Sequence, residues 1–188
     1  MIEPEEQARA DLYGILARLF YGPPDAALLE ALAASRLEGD ALGSPGRELS
    51  RAAAGANPEK LREEYEARFI GTGKAPVTLY TAAYTIRYSN EVPLAALRKE
   101  LAAMGLGRRD GVHEPEDHIA ALCDVMRHLI AAERELSDQQ RFFDKWVKPA
   151  AEPLCDAIEK DPGTDFYRQV SKFARAFFRL EQAAFEML

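Results

Sequence analysis

Titratable side chains crowd together at Glu114-Pro115-Glu116-Asp117-His118-Ile119. Asp117 beside His118 has the residue types of a general-base pair. The partners that such a pair needs are missing from the sequence. Cys123 lies one turn beyond His118, but it belongs to an apolar helical pattern and reads as packing. His113, His118, His128, Cys123, Cys155 and the nearby acids are the candidate metal ligands, yet no CxxC or HExxH occurs. A di-iron bundle needs Glu-x-x-His on two helices. Glu114 to His118 is one residue too long for that, and no second copy is present. Gly73-Lys74 invites a phosphate loop, but Arg68 and Ala75 stand where glycine and a hydroxyl residue are needed. The sequence therefore points away from catalysis and implies no metal and no cofactor.

The elements that must position this cluster are helical. Pro115 suits the first turn of a helix, and the spacing predicts one from there to about Glu135. Glu114, Glu116 and Asp117 would then lie at its positive end, each contributing ~0.3–1 kcal/mol. Ile119, Leu122, Val125, Met126, Leu129 and Ile130 recur at helical spacing as one apolar stripe. His118 falls at the edge of that stripe. A helix N-terminus disfavours a cation, so a neutral imidazole is expected. Two readings stay open: helix-start charges around a core-edge histidine, or a polar binding mouth beside an apolar groove.

The remaining chain reads as helices joined by Gly/Pro turns. Glu5 to Tyr21 is amphipathic and ends at Gly22-Pro23-Pro24; Asp25 caps a helix with Leu28, Leu29 and Leu32. Ser35 to Asn57 reads as loop, broken at Pro45, with a weak helix near Arg47 to Ala54. Asn57-Pro58 opens a helix reaching about Phe69. After the Gly71–Pro76 loop come Tyr80 and Tyr84, which could be core or could line a surface pocket. Val92 to Met104 is helical, and Gly105, Gly107 and Gly111 could form a hinge over 105–113. A helix restarts at Ser137 or Asp138 and is interrupted by Pro149 and Pro153; Thr164 caps a last, phenylalanine-rich helix. No alternating run marks a strand. The fold class is all-α, a single domain over residues 1–188.

At 188 residues, 47% hydrophobic and 29% charged, the chain can bury a core of its own. A net charge of −7 argues against nucleic acid and anionic membranes and is compatible with a basic partner such as an arginine-bearing peptide. Cys123 and Cys155 read as buried free thiols. The acidic start lacks an apolar export segment and no run could span a bilayer, so the cytoplasm is the expected location.

Three blocks resemble the TorD/DmsD/NarJ family of cytoplasmic chaperones for molybdenum-containing redox enzymes. The first is Tyr65-x-x-x-Phe69-x-Gly71-x-Gly73-x-x-Pro76, followed by Tyr80 and Tyr84. The second is Glu114-Pro115-x-Asp117-His118-Ile119, and the third runs from Phe142-Phe143 through Trp146 to Pro149. The chain departs from the family pattern at Arg68 and Leu79, and in the third block at Trp146-Val147 and Pro149-Ala150. The resemblance implies an all-helical, TorD-like, non-catalytic protein that binds the twin-arginine signal peptide of a molybdoenzyme. It would hold the apo-enzyme back until its molybdopterin cofactor is inserted, and would be a monomer or a domain-swapped dimer. Glu114, Glu116, Asp117, His118, Tyr80 and Tyr84 are the residues expected to meet the peptide. The alternatives are an assembly subunit of a redox complex or a small helical ligand-binding protein or enzyme using Asp117 and His118.

Overall fold

The structure is a computed structural model that describes residues 2–36, 39–71, 74–86, 92–108, 111 and 114–187. It is all-α, with α1 (Pro4–Tyr21), α2 (Ala26–Ala34), α3 (Gly43–Ala54), α4 (Pro58–Tyr65), α5 (Ala82–Thr85), α6 (Pro93–Ala103), α7 (Ile119–Ala131), α8 (Leu136–Phe142), α9 (Lys148–Lys160) and α10 (Phe166–Phe185). Among the described residues no strand forms; an isolated antiparallel bridge joins Tyr80 to His118. The chain divides into two compact units, one of residues 1–17 and 79–150, the other of residues 18–78 and 151–188.

The first unit is built on α7. Ile119, Leu122, Cys123, Met126, Leu129 and Ile130 are all buried, as their 3.6-residue recurrence requires. Phe142, Phe143 and Val147 are buried in the same unit. They belong to α8 and to the wide helical turn Phe143–Val147 that follows it. Glu100 of α6 accepts hydrogen bonds from the Trp146 indole (3.1 Å) and the Lys145 ammonium (2.6 Å). Lys145 also lies 4.8 Å over the Trp146 ring, a cation–π contact.

In the second unit the aromatic residues of the first block are core. Tyr65, Phe69 and Tyr167 form a triangle with ring centroids 4.9–5.5 Å apart. Each such pair is worth about 0.5–1.5 kcal/mol beyond burial. The Tyr65 hydroxyl donates to the Phe20 carbonyl at 2.9 Å. Asp25 accepts from the Leu28 N–H and Asn57 from those of Glu59 and Lys60, so both act as the caps their residue types predict. α4 runs into a wide turn over Glu66–Ile70, closed by Gly71 N–H to the Glu66 carbonyl at 2.7 Å. Gly71 has φ +62, and a Cβ there would meet Ala75 Cα at 3.1 Å; only glycine lets the loop fold back this closely. Arg175 and Arg179 of α10 engage Glu152, Asp156 and Glu159 of α9, a charged ladder between neighbouring helices.

Four boundaries differ from the sequence reading. α3 begins at Gly43, so Pro45 sits in a first turn, where its missing N–H costs nothing, rather than breaking the segment. α9 runs unbroken through Pro153; its fixed φ is helical and the loss is one backbone bond. Thr164 does not cap α10. Its hydroxyl, fully buried, donates back to the Ile158 and Asp161 carbonyls at 2.6 and 2.9 Å. The donors at the start of α10 are met instead by Glu64, which accepts from the N–H groups of Asp165, Phe166 and Tyr167 at 3.0, 3.2 and 2.9 Å. Lastly, α7 starts at Ile119, not near Pro115, and ends at Ala131, not near Glu135. Of the 105–113 segment where a hinge was expected, residues 109, 110, 112 and 113 lie outside the described residues, as do Thr72 and Gly73 of the glycine loop.

The long-range cap makes a prediction. Glu64→Ala removes three acceptor contacts and should lower unfolding free energy by about 1–2 kcal/mol. Glu64→Gln, which keeps one acceptor oxygen, should cost less. Urea unfolding followed by circular dichroism checks both; an unshifted midpoint for Glu64→Ala would show that water replaces the cap without loss.

Candidate functional site

The central motif approaches α7 as a turn, not as its first helical residues. His118 N–H bonds the Pro115 carbonyl at 3.1 Å, and His118 itself is extended (φ −64, ψ 133). Two backbone bonds fix it there: Thr81 N–H to the Asp117 carbonyl and Ile119 N–H to the Leu79 carbonyl, both 2.9 Å. The helix cannot extend back through 117 and 118 because the Asp117 carbonyl and the Ile119 N–H, which would have to join its ladder, are already paired to Thr81 and Leu79. The acids therefore flank the helix start without belonging to its first turn.

His118 is the helix cap. Its Nδ1 accepts from the Ala120 N–H at 3.2 Å, which requires a lone pair on Nδ1 and places the neutral ring's proton on Nε2. The residue is 6% exposed. Burial pushes its pKa down to about 4, outweighing the nearby negative charge of Glu114. The neutral imidazole expected from the sequence is present, with burial as the main cause. The Tyr80 ring meets the imidazole edge-on at 5.3 Å.

Each acid has a distinct environment. Glu114 accepts a hydrogen bond from the Tyr80 hydroxyl. Burial, that bond, and the charges of Glu114 and Asp117 push the Tyr80 pKa up to about 12, so the phenol stays a donor. Asp117 is 7% exposed. Its carboxylate accepts from the Ala82 N–H at 3.4 Å, and its backbone carbonyl also accepts from the Thr81 hydroxyl at 3.0 Å. Burial raises its pKa, and the charge of Glu116 acts in the same direction against the Ala82 hydrogen bond. Glu116 is held by Arg98 Nε at 2.8 Å and by Arg108 at 3.3 Å. Its partial burial would raise its pKa, but its own backbone N–H, the Arg98 hydrogen bond and both positive charges bring it below the usual range.

Tyr80, Glu114, Glu116, Asp117 and His118 thus converge through direct contacts with one another or with shared partners. Tyr84, on α5, is half-buried one turn beyond the Asp117-capped helix start. Sequence reasoning missed Arg98, Arg108 and Thr81. Nothing in their spacing announces them: Thr81 and Arg98 meet the motif from well before it in the chain, and Arg108, eight residues ahead of Glu116, follows no periodic pattern with it. Among the described residues no three of His, Cys, Asp and Glu form a group able to hold a metal ion. Cys123 and Cys155 are buried thiols outside any disulfide, in the apolar settings their sequence neighbours predict. Burial pushes the Cys155 thiol up to about 11, which suits packing.

A family model described as the nitrate reductase delta subunit matches residues 38–159. The chain belongs to this family. Its members are NarJ/TorD-type chaperones, the group that the three sequence blocks resemble. The fold agrees. A crystal structure described as a redox enzyme maturation protein from Archaeoglobus fulgidus superposes with a TM-score of 0.58 at 22% identity, covering 93% of each chain. A search of curated proteins returns no match. Among the described residues of this NarJ/TorD-type chain, no helix is long and apolar enough to cross a membrane. The matched range contains the whole Glu114–His118 cluster and both arginines that hold Glu116.

The buried histidine sets a pH dependence. An unfolded histidine takes a proton near pH 6.5, whereas His118 stays neutral in the fold down to about 4. Between those values the unfolded chain binds more protons, so acid destabilises the fold. The raised carboxyl of Asp117 works in the opposite sense at the acid end. His118→Asn keeps an acceptor for the Ala120 N–H but cannot titrate. From pH 7 to pH 4.5 the wild-type protein should therefore lose about 2 kcal/mol more stability than His118→Asn. Parallel urea titrations at the two pH values test this; identical losses would mean that His118 is protonated in the fold.

Proposed function

We propose that this NarJ/TorD-type chain is a non-catalytic cytoplasmic chaperone that receives the twin-arginine signal peptide of a molybdopterin-containing oxidoreductase. It holds the apo-enzyme until the cofactor is in place. The observation that carries this reading is the carboxylate cluster Glu114–Glu116–Asp117, which in this chain already engages guanidinium groups at Glu116. Arginine side chains pair with carboxylates in short, directional, charge-assisted bonds. The half-buried Tyr80 and Tyr84 add aromatic surface beside the acids, suited to the apolar stretch that follows the arginines of such a leader. An overall charge of −7 favours the approach of a basic peptide.

The roles within the cluster are unequal. Glu114 and Glu116 are the partly exposed acids and meet the arginines. Asp117 and His118 are buried and hold the shape of the receptor, through the Ala82 N–H and the start of α7 respectively. A second reading, an assembly subunit that stays with a redox complex, draws on the family's description as a delta subunit.

Titration calorimetry against a panel of leader peptides from the host's molybdoenzymes separates the two. Each leader is paired with a copy whose two arginines are alanine. One leader should bind, and its binding should fall with the arginine-free copy and with Glu114→Gln. Silence across the panel, together with stoichiometric co-purification of a redox enzyme, would replace the chaperone reading with the subunit one.

A further inference from the structure

Glu116 is one of the two partly exposed acids of the motif, and two of the chain's own guanidiniums are on it. Arg98 and Arg108 divide its carboxylate, Arg98 Nε on Oε2 at 2.8 Å and Arg108 on Oε1 at 3.3 Å. The two are not equivalent. Arg98 stands on α6 and makes an aligned hydrogen bond. Arg108 lies beyond the end of that helix, in a segment turned back by a glycine cap. Gly105 (φ +76) donates to the Ala102 carbonyl at 3.1 Å and Leu106 N–H donates to the Leu101 carbonyl at 2.9 Å, which is the paired geometry of a Schellman stop. The stop redirects the chain so that Arg108, three residues on, reaches the carboxylate that Arg98 already holds.

We infer that Arg98 and Arg108 are an intramolecular stand-in for the client's arginine pair, and that a leader docks by displacing Arg108 from Glu116. The inference rests on the receptor reading above and adds its regulation. Arg108 is the arm that leaves. Its ion pair is the longer one and it stands beyond the helix end, whereas Arg98, although more exposed (49% against 37%), is anchored on α6. An incoming guanidinium exchanges one arginine–carboxylate pair for another of the same kind, so it can compete. Arg98 stays and supplies a fixed second charge that keeps the Glu116 carboxylate ionised and oriented. The exchange leaves Glu116 paired before and after docking, so no carboxylate is left half-buried and alone. It also sets a threshold. A peptide carrying one weakly placed basic residue gains little over the resident Arg108, whereas an arginine pair can engage Glu116 and Glu114 together.

The test is titration of the leader panel, each leader with its alanine-substituted copy, into wild type, Arg108→Ala, Lys99→Ala and Arg108→Ala/Glu116→Gln. Arg108→Ala should bind the leader about fivefold more tightly than wild type, the gain set by the loss of one exposed ion pair. That gain should vanish with the alanine copy and in the double variant. Lys99→Ala removes the same unit of charge from exposed α6 and should leave affinity unchanged. Binding by Arg108→Ala where wild type is silent would equally support the inference. If wild type binds the leader and Arg108→Ala binds it no better, Arg108 is no competitor and the inference fails while the receptor reading stands. A gain in Lys99→Ala matching that in Arg108→Ala would also overturn it, in favour of overall charge. No binding by any of the four proteins would remove both the receptor and its regulation.

Discussion

The antiparallel bridge between Tyr80 and His118 is the constraint on which the first unit depends. Two backbone hydrogen bonds clamp the segment before α7 against the segment before α5. This one contact decides where α7 starts, because a backbone group paired across a bridge cannot also propagate a helix. It leaves His118 at the cap position and turns the imidazole inward. It sets Tyr80 edge-on to that imidazole and within hydrogen-bonding reach of Glu114. It also brings the Asp117 carboxylate to the Ala82 N–H at the start of α5. A helix continuous from Pro115 would scatter these side chains around its circumference at 100° intervals.

Much of this fold was legible in the sequence because its signals are local. The α7 stripe, the Asp25 and Asn57 caps, the proline at the start of α4 and the buried cysteines all follow from spacing or from side chains bonding their own backbone neighbours. The failures share a cause. Thr164 has the right type and position to cap α10, yet Glu64, remote in sequence, takes the three donors. A charged carboxylate with two oxygens satisfies more N–H groups than one hydroxyl, and Thr164 is then free to close the turn from α9. Pro115 likewise has the right type for a helix start, but the bridge outcompetes it. Proline is a permissive signal: it marks where a helix can begin, not where the surrounding chain lets it begin.

The candidate site divides along the same line. Motif and spacing identified the acids and the histidine, since they are contiguous, and the family resemblance added Tyr80 and Tyr84. The arginines on Glu116 and the hydroxyl of Thr81 come from elsewhere and carry no pattern of their own. What the sequence presented as one acidic stretch is three carboxylates with different attachments: to a phenol, to two guanidiniums, and to a backbone N–H in a buried setting.

That difference determines what substitutions at the site can report. Asp117 and His118 are buried, and each satisfies a backbone N–H that nothing else among the described contacts satisfies. Leaving such a group unmet costs about 1–3 kcal/mol. Truncating either residue therefore perturbs the start of α5 or α7 whether or not the side chain touches a client. Glu114 and Glu116 are different, because their partners are a tyrosine hydroxyl and partly exposed arginine side chains, which water can satisfy once the carboxylate is gone. Changes at these two acids alter the surface charge while the bridge, and with it the helix start, stays in place. The motif thus separates into a partly exposed acidic half and a buried scaffolding half, and the bridge through Tyr80 and His118 is the boundary between them.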